Sequence, residues 1–163
     1  MRRTVAHYGY GVSPDDCYLA LRGFRTIGVR MKHQMASALK VARWLQARPQ
    51  VRRVIYPALE GDPGHAVWKR DFTGAASLFS FVMQPASDDQ VRAFINALEI
   101  FGIGSSWGGF ESLAIFARIE RHRTATKWDP GGPTIRLHIG LEDPDDLIAD
   151  LERGFAAMTK TKA

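Results

Sequence analysis

Arg136 lies in the middle of the alternating segment Thr134 to Ile139, and its guanidinium is suited to recognising a carboxylate. Every second residue of this segment is apolar, which predicts a β-strand with one buried face. A strand holds a side chain on a rigid element, and the planar arginine fork can donate two parallel hydrogen bonds to a carboxylate. An arginine with this spacing is more commonly an ordinary exposed side chain, so a carboxylate-binding role for Arg136 needs support from a second feature.

The string GSSWGGFESL, residues 104–113, is a second feature that could build a ligand site. Its small residues let the backbone approach a ligand closely, while Trp107 supplies a large flat wall. Two segments could meet Arg136: this string, and the polar face of its own strand, which carries Thr134 and His138. His138 also fits an ordinary surface imidazole, so the pattern alone leaves both arrangements open.

Other reactive residue types give weaker signals. The five histidines lack HExxH or similar spacing, and with a single cysteine no metal-binding set assembles. Cys17 lies inside a helical pattern, where a small buried thiol is the usual case, so we do not expect a nucleophile there. Lys127 follows Thr124 and Thr126, a setting in which a lysine can bind a cofactor covalently. Turn residues come directly after it, and an exposed loop lysine is the preferred interpretation.

Composition places these residues in a folded domain of ordinary type. The chain has 163 residues, of which 45% are hydrophobic and 24% are charged, as in globular proteins. Its single cysteine excludes an internal disulfide and favours a reducing, cytoplasmic compartment. No apolar run suits a signal peptide or a membrane span, so we expect no membrane partner. The net charge of +5 comes without a nucleic-acid-binding motif, so solvated helix faces explain it better than nucleic acid.

The elements that must position Arg136 follow from capping residues and apolar periodicity. Helices are predicted to begin after Ser13, Ser87 and Asp143, with a further helix carrying the stripe from Met31 to Leu45. Strands are predicted at 51–56, 77–83 and 134–139, while the first dozen residues and the segment after Pro57 resemble turns and loops. Short strands mixed with capped helices predict an α/β (α+β) sandwich, in which helices cover one face of a small sheet.

Three blocks of the sequence together resemble the pyridoxal-phosphate-dependent transsulfuration enzymes of cysteine and methionine metabolism. The blocks are SPDDCYLALRGFRT (13–26), SWGGFESL (106–113) and TIRLHIGLEDPDDLIADL (134–151). The resemblance spans nearly the whole chain in the same order. Members that act at the γ-carbon typically have Leu at the position of Trp107, so the resemblance favours a carbon–sulfur lyase acting at the β-carbon.

This resemblance implies the C-terminal part of a fold-type I enzyme dependent on pyridoxal 5'-phosphate (PLP). Its small domain would be a mostly antiparallel sheet covered by helices, preceded by an interdomain helix. Residues 1–48 would be a remnant of the large domain with the interdomain helices, and residues 49–163 the small domain. The large domain would hold PLP, including the lysine that binds it, so Lys127 would not be the cofactor lysine.

The resemblance also implies roles for three residues of the candidate site. Arg136 would pair with the α-carboxylate of an amino-acid substrate, and Ser106 and Trp107 would line the same pocket. No catalytic, cofactor-binding or metal-binding residue is assigned to this chain, which alone would be inactive. Its implied partners are the substrate, the missing large domain and further copies of itself in a dimer or tetramer. The alternative is a non-catalytic interaction or assembly domain derived from such an enzyme.

Overall fold

The computed structural model of the chain describes residues 2–161, with the backbone alone at position 121. By its internal contacts the chain divides into two compact units, Met1–Arg30 and Met31–Ala163. The expected division into 1–48 and 49–163 concerns the intact protein and stays a prediction.

Eleven helices and strands are described, in the following chain order. They are α1 (Arg2–Tyr8), α2 (Pro14–Phe24), α3 (Ile27–Gln46), β1 (Val51–Ile55), α4 (His65–Asp71), β2 (Leu78–Met83), α5 (Asp88–Asn96), β3 (Gly102–Ile103), β4 (Leu113–Phe116), β5 (Thr134–His138) and α6 (Pro144–Lys160). One 3₁₀ turn, Ile119–Arg121, lies between β4 and β5. The predicted helix starts and the three predicted strands agree with these bounds to within a few residues.

The first unit contains α1 and α2. Ser13 caps α2 as expected: its hydroxyl oxygen accepts the backbone N–H of Asp16 at 3.1 Å, and the Asp16 carboxylate in turn accepts from Ser13. The turn-like interpretation of the first dozen residues is wrong, because α1 forms there. Gly9, directly after its last residue, adopts a φ of 66°. The expectation of a buried Cys17 is also wrong, since every residue from 2 to 30 is exposed and this unit has no core of its own.

The second unit is built on a five-stranded sheet in the order β1-β2-β5-β4-β3. All neighbouring strands run antiparallel except β3 and β4, which are parallel. Strand β5 is therefore central, and Arg136 lies opposite Ser80 on β2 and Ile115 on β4. Hydrogen bonding on both sides fixes the backbone that carries Arg136.

The core of this unit lies between the sheet and helices α3, α5 and α6. Ile135 and Leu137 of β5 are fully buried, as the alternation predicts. The predicted stripe of α6 is buried too, at Leu147, Leu151, Phe155 and Met158. The other face of β5 is less open than its polar residues indicate, because Thr134 and His138 are also buried and only Arg136 is half-exposed.

Three elements of this unit are absent from the sequence-based interpretation: α4, β3 and β4. Helix α4 has Gly64 as its N-cap and so lacks a side-chain cap, and β3 has only two residues. Strand β4 has four. Elements this short carry too few periods of apolar alternation to be recognised, and tertiary pairing determines them instead.

Asp150 of α6 fixes the chain where it enters β3. Its carboxylate is fully buried and accepts the backbone N–H groups of Glu99, Ile100 and Phe101 at 2.9–3.0 Å. Arg153, one turn further along the helix, donates to the same carboxylate at 2.8 Å. A charged acceptor thus satisfies three successive backbone donors that would otherwise be buried without partners.

Among residues 2–161, no helix combines the length and apolar character needed to cross a bilayer. Within the same range, no three His, Cys, Asp or Glu side chains converge as a metal-binding group would require.

Candidate functional site

Arg136 contacts the glycine-rich bend, which we define as residues 104–112 between β3 and β4. Its Nη2 donates to the carbonyl oxygen of Ser105 at 2.5 Å and lies 3.4 Å from that of Ser106. The guanidinium carbon is 5.7 Å from the ring centre of Trp107, within cation–π range. The structure therefore brings the three sequence-predicted site residues, Arg136, Ser106 and Trp107, into one place.

The charge of this guanidinium is available to an anion from outside the chain. Among residues 2–161 it forms no ion pair with a carboxylate, and its hydrogen bonds all use Nη2. Nε, Nη1 and the second hydrogen of Nη2 remain as donors in one plane, and Nη2 together with either neighbour has the geometry that binds both oxygens of a carboxylate. Trp107 is 62% exposed, so its indole is a wall open to solvent in this chain.

The stem of the bend is closed by a polar cluster of Ser112, Glu142 and Gly140. The N–H and hydroxyl of Ser112 donate to the two oxygens of the Glu142 carboxylate at 2.8 and 2.7 Å. Gly140 N–H donates to the Ser112 hydroxyl at 2.8 Å. A side chain at position 140 would overlap the carbonyl oxygen of Phe110, so glycine is needed for this close approach.

The middle of the bend is held by two buried side chains, His138 and Gln34. Gln34 Nε2 donates to the carbonyl of Gly109 at 2.7 Å, and His138 Nε2 lies 3.2 Å from the same oxygen. His138 Nδ1 faces the hydroxyl of Ser77 at 3.0 Å and the N–H of Gly108 at 3.4 Å. The interpretation of His138 as a surface imidazole is therefore wrong, since only 1% of this residue is exposed.

Burial lowers the pKa of His138 below its ordinary value, and the positive charge of Arg136 acts in the same direction. The carbonyl of Gly109 and the carboxylate of Glu142 oppose this shift. The imidazole is consequently neutral at neutral pH.

Lys127 lies apart from any enclosed site. Its side chain is 85% exposed and pairs with Asp129 at 3.4 Å. The other lysines among residues 2–161, at positions 32, 40, 69 and 160, are exposed as well. None of these five has the enclosed setting in which a lysine binds a cofactor covalently.

A separate apolar cavity of about 560 Å³ lies between β1, α4 and β2. Its polar groups are already bonded within the chain: the Tyr56 hydroxyl donates to the carbonyl of Ala76 at 2.6 Å, and the Trp68 N–H to that of Gly74 at 3.1 Å. Burial raises the pKa of Tyr56 to about 12. None of the described residues that line this cavity is charged, so the anion site at Arg136 is the stronger candidate.

The sequence indicated some residues of this site but not others. The glycine-rich string and the strand arginine marked Arg136, Ser106 and Trp107. Gln34, Ser112 and Glu142 were missed, because a buried amide on a helix and a serine–glutamate pair carry no local signature. For Gly140, the glycine directly after a strand was the only available hint.

Residues 1–156 match the family described as Cys/Met metabolism PLP-dependent enzymes. The chain is 47% identical over 161 residues to cystathionine beta-lyase MetC of Escherichia coli, covering 96% of this chain and 40% of that protein. It is 48% identical over 159 residues to cystathionine beta-lyase of Bordetella avium, covering 95% and 39%. The chain thus spans about two fifths of the length of these curated relatives.

The fold resembles the solved structure of O-acetylhomoserine sulfhydrylase from Wolinella succinogenes. The two superpose with a TM-score of 0.79 at 25% sequence identity, over 94% of this chain and 41% of that one. This similarity confirms the expected fold class, a small mostly antiparallel sheet covered by helices as found in fold-type I PLP-dependent enzymes.

Proposed function

The chain belongs to the family of Cys/Met metabolism PLP-dependent enzymes, and from this premise we propose that it is the substrate-binding C-terminal part of a cystathionine beta-lyase. The intact enzyme would catalyse α,β-elimination of L-cystathionine to homocysteine, pyruvate and ammonia. The observation that carries this proposal is the Arg136 guanidinium, which has no ion pair among residues 2–161 and is held on a central strand against the bend that contains Ser106 and Trp107. This arrangement suits the α-carboxylate of an amino acid.

The described residues do not fit the cofactor itself, because all five of their lysines are exposed. We therefore place PLP on a part of the intact protein outside this chain. When bound, PLP supplies an electron sink for chemistry at the α-carbon of an amino acid. Arg136 performs no proton transfer in this proposal. It binds the carboxylate and thereby orients the substrate, so that the reacting bond is correctly positioned relative to the cofactor.

Ser106 and Trp107 complete the proposed substrate site in different ways. The carbonyls of Ser105 and Ser106 face the guanidinium and hold it. Because a carbonyl oxygen and a carboxylate both only accept hydrogen bonds, these two groups cannot bind the substrate carboxylate. The N–H and hydroxyl of Ser106 remain as the donors that would reach the substrate. The exposed indole of Trp107 would form the wall that limits access of water once the intact enzyme closes over the site.

The products formed by the intact enzyme test the proposed function. With L-cystathionine we expect pyruvate and homocysteine, because a β-lyase breaks the bond between the β-carbon and sulfur. Mass spectrometry of the products distinguishes these from 2-oxobutanoate and cysteine, which cleavage at the γ-carbon would give. The second pair would refute the assignment as a β-lyase. Parallel assays with other cysteine S-conjugates would show which thioether is preferred.

We expect Lys127 to show no specific reaction with PLP. Its ammonium is exposed and paired with Asp129, so no enclosed pocket surrounds it to hold the cofactor. The measurement is incubation of the 163-residue chain with PLP, reduction with borohydride and peptide mapping. Labelling of Lys127 should equal that of Lys69, an exposed helical lysine that serves as the control. Stoichiometric labelling of Lys127 alone would contradict our assignment of the cofactor to another part of the protein.

Partners of the chain follow from its exposed apolar surface. Helix α2 exposes Tyr18, Leu19, Leu21 and Phe24, and these residues support docking against a large domain or another subunit. We propose that the intact enzyme is a cytoplasmic homo-oligomer, a dimer or tetramer, acting in methionine biosynthesis.

A further inference from the structure

We infer that His138 and Gln34 are positioning residues, which hold the carbonyl of Gly109 from two elements and thereby fix the glycine-rich bend on Arg136. The inference rests on the proposed function, since it assigns both side chains to the same carboxylate site. Both are buried behind the bend and act through its backbone. Their effect would therefore be on substrate binding.

The two donors approach one oxygen from different parts of the second unit. Gln34 comes from α3 and is 5% exposed, while His138 comes from β5 and is 1% exposed. Their nitrogen atoms lie 2.7 and 3.2 Å from the carbonyl oxygen of Gly109. The bend is thus tied to both a helix and the central strand. Arg136 holds the preceding carbonyls from that same strand, so the loop has little freedom to leave the guanidinium.

The partners of His138 fix which ring nitrogen carries the proton. A carbonyl oxygen only accepts, so Nε2 must bear hydrogen to bond Gly109. A backbone N–H only donates, so Nδ1 must be bare to accept from Gly108, and the Ser77 hydroxyl donates to the same nitrogen. The ring is therefore the neutral Nε2–H tautomer. Gly108 makes this approach possible because its φ of 82° lies in the left-handed region.

Protonation of His138 would remove the acceptor for Gly108. Three groups around the ring act on its pKa besides burial: the carbonyl of Gly109 and the charges of Glu142 and Arg136. The uncharged hydroxyl of Ser77 bonds Nδ1. Burial dominates and lowers the pKa. The unfolded chain takes up this proton as the pH falls through about 6.5, whereas the folded chain takes it up only at lower pH. The stability contributed by the neutral ring is therefore present above about pH 6.5 and is lost as the pH falls to the folded pKa.

Nitrogen NMR of the 163-residue chain tests the tautomer directly. Long-range ¹H–¹⁵N spectra should show the neutral Nε2–H form of His138 at pH 7.5, and the amide resonance of Gly108 should titrate together with the ring at lower pH. The inference would be overturned by a neutral Nδ1–H ring or a charged ring at pH 7.5. It would also be overturned if the amide resonance of Gly108 did not change when the ring titrates. This measurement needs no variant and no activity.

Variants of the two positioning residues test the effect on the site. Gln34→Met keeps the length and removes the donor, and His138→Asn removes the donor at the Nε2 position, whereas His138→Gln can restore it. For Gln34→Met and His138→Asn we expect KM of the intact enzyme to rise about five- to tenfold, while kcat changes less than about twofold. For His138→Gln we expect a smaller rise in KM. Hydrogen exchange of the Gly108 amide in the chain should accelerate for Gln34→Met and His138→Asn.

The outcomes separate this inference from the proposed function. If the exchange rate and KM are both unchanged in Gln34→Met and His138→Asn, the positioning role is refuted. An equal rise in KM for His138→Asn and His138→Gln would also refute it, because the restored donor would then have no effect. If exchange accelerates while substitution of Arg136 leaves KM unchanged, the bend is held as inferred but the carboxylate site is wrong.

Discussion

Replacing Arg136 by lysine in the intact enzyme should raise KM for the amino-acid substrate by about an order of magnitude or more, with a much smaller change in kcat. The arginine fork spans both oxygens of a carboxylate, whereas an ammonium is a single point charge. Lysine can satisfy the carbonyl of Ser105 or the substrate, but it lacks the planar edge with two parallel N–H donors that the guanidinium keeps while Nη2 bonds Ser105. Steady-state kinetics with cystathionine would measure the effect.

The matched control is Arg53→Lys, which changes an exposed arginine on the edge strand β1. Arg53 lies near the ring of Trp128, 5.9 Å from its centre, on a strand that β2 separates from β5. Its substitution should leave KM within about twofold, because an exposed side chain away from the site contributes little to binding. Unchanged kinetics for Arg136→Lys would remove the physical basis of the proposed carboxylate site.

Elements encoded by neighbouring residues could be predicted from the sequence. The starts of α2, α5 and α6 follow from Ser13, Ser87 and Asp143, whose side chains bond backbone groups only two or three residues away. The central strand β5 follows from its alternation. Because both signals are local, the sequence alone placed Arg136 on a rigid strand.

The supports of the site could not be predicted, because they join distant parts of the chain. Gln34 and Gly109 are 75 residues apart, and Ser112 and Glu142 are 30 apart. No periodicity or capping rule relates such pairs. The polar residues of β5 led to a wrong prediction of an exposed face for the same reason. His138 is buried by the bend and by Ser77, and the pattern of the strand alone cannot reveal this burial. The sequence left two arrangements open for Arg136, contact with the bend or with the polar face of its own strand. The structure shows contact with the bend.

The substitution Asp150→Asn should lower the free energy of unfolding of the chain by about 3 kcal/mol. One carboxylate oxygen accepts from Glu99 and Arg153, and the other accepts from the N–H groups of Ile100 and Phe101. Asparagine has one acceptor oxygen, so in either orientation its NH₂ group would point at a donor. At least one backbone N–H would then be buried without a partner, and the charge facing Arg153 would be lost. Urea denaturation of the 163-residue chain would measure the change.

Glu99→Gln is the matched control for Asp150→Asn, because Glu99 pairs with the same Arg153 from the solvent side. The Glu99 side chain is 72% exposed, whereas that of Asp150 is fully buried. Removing the exposed charge should lower the free energy of unfolding by less than about 1 kcal/mol, since water screens such pairs. Equal effects of the two substitutions would show that Asp150 acts only through its ion pair. The three backbone bonds that lead the chain into β3 would then contribute nothing to stability.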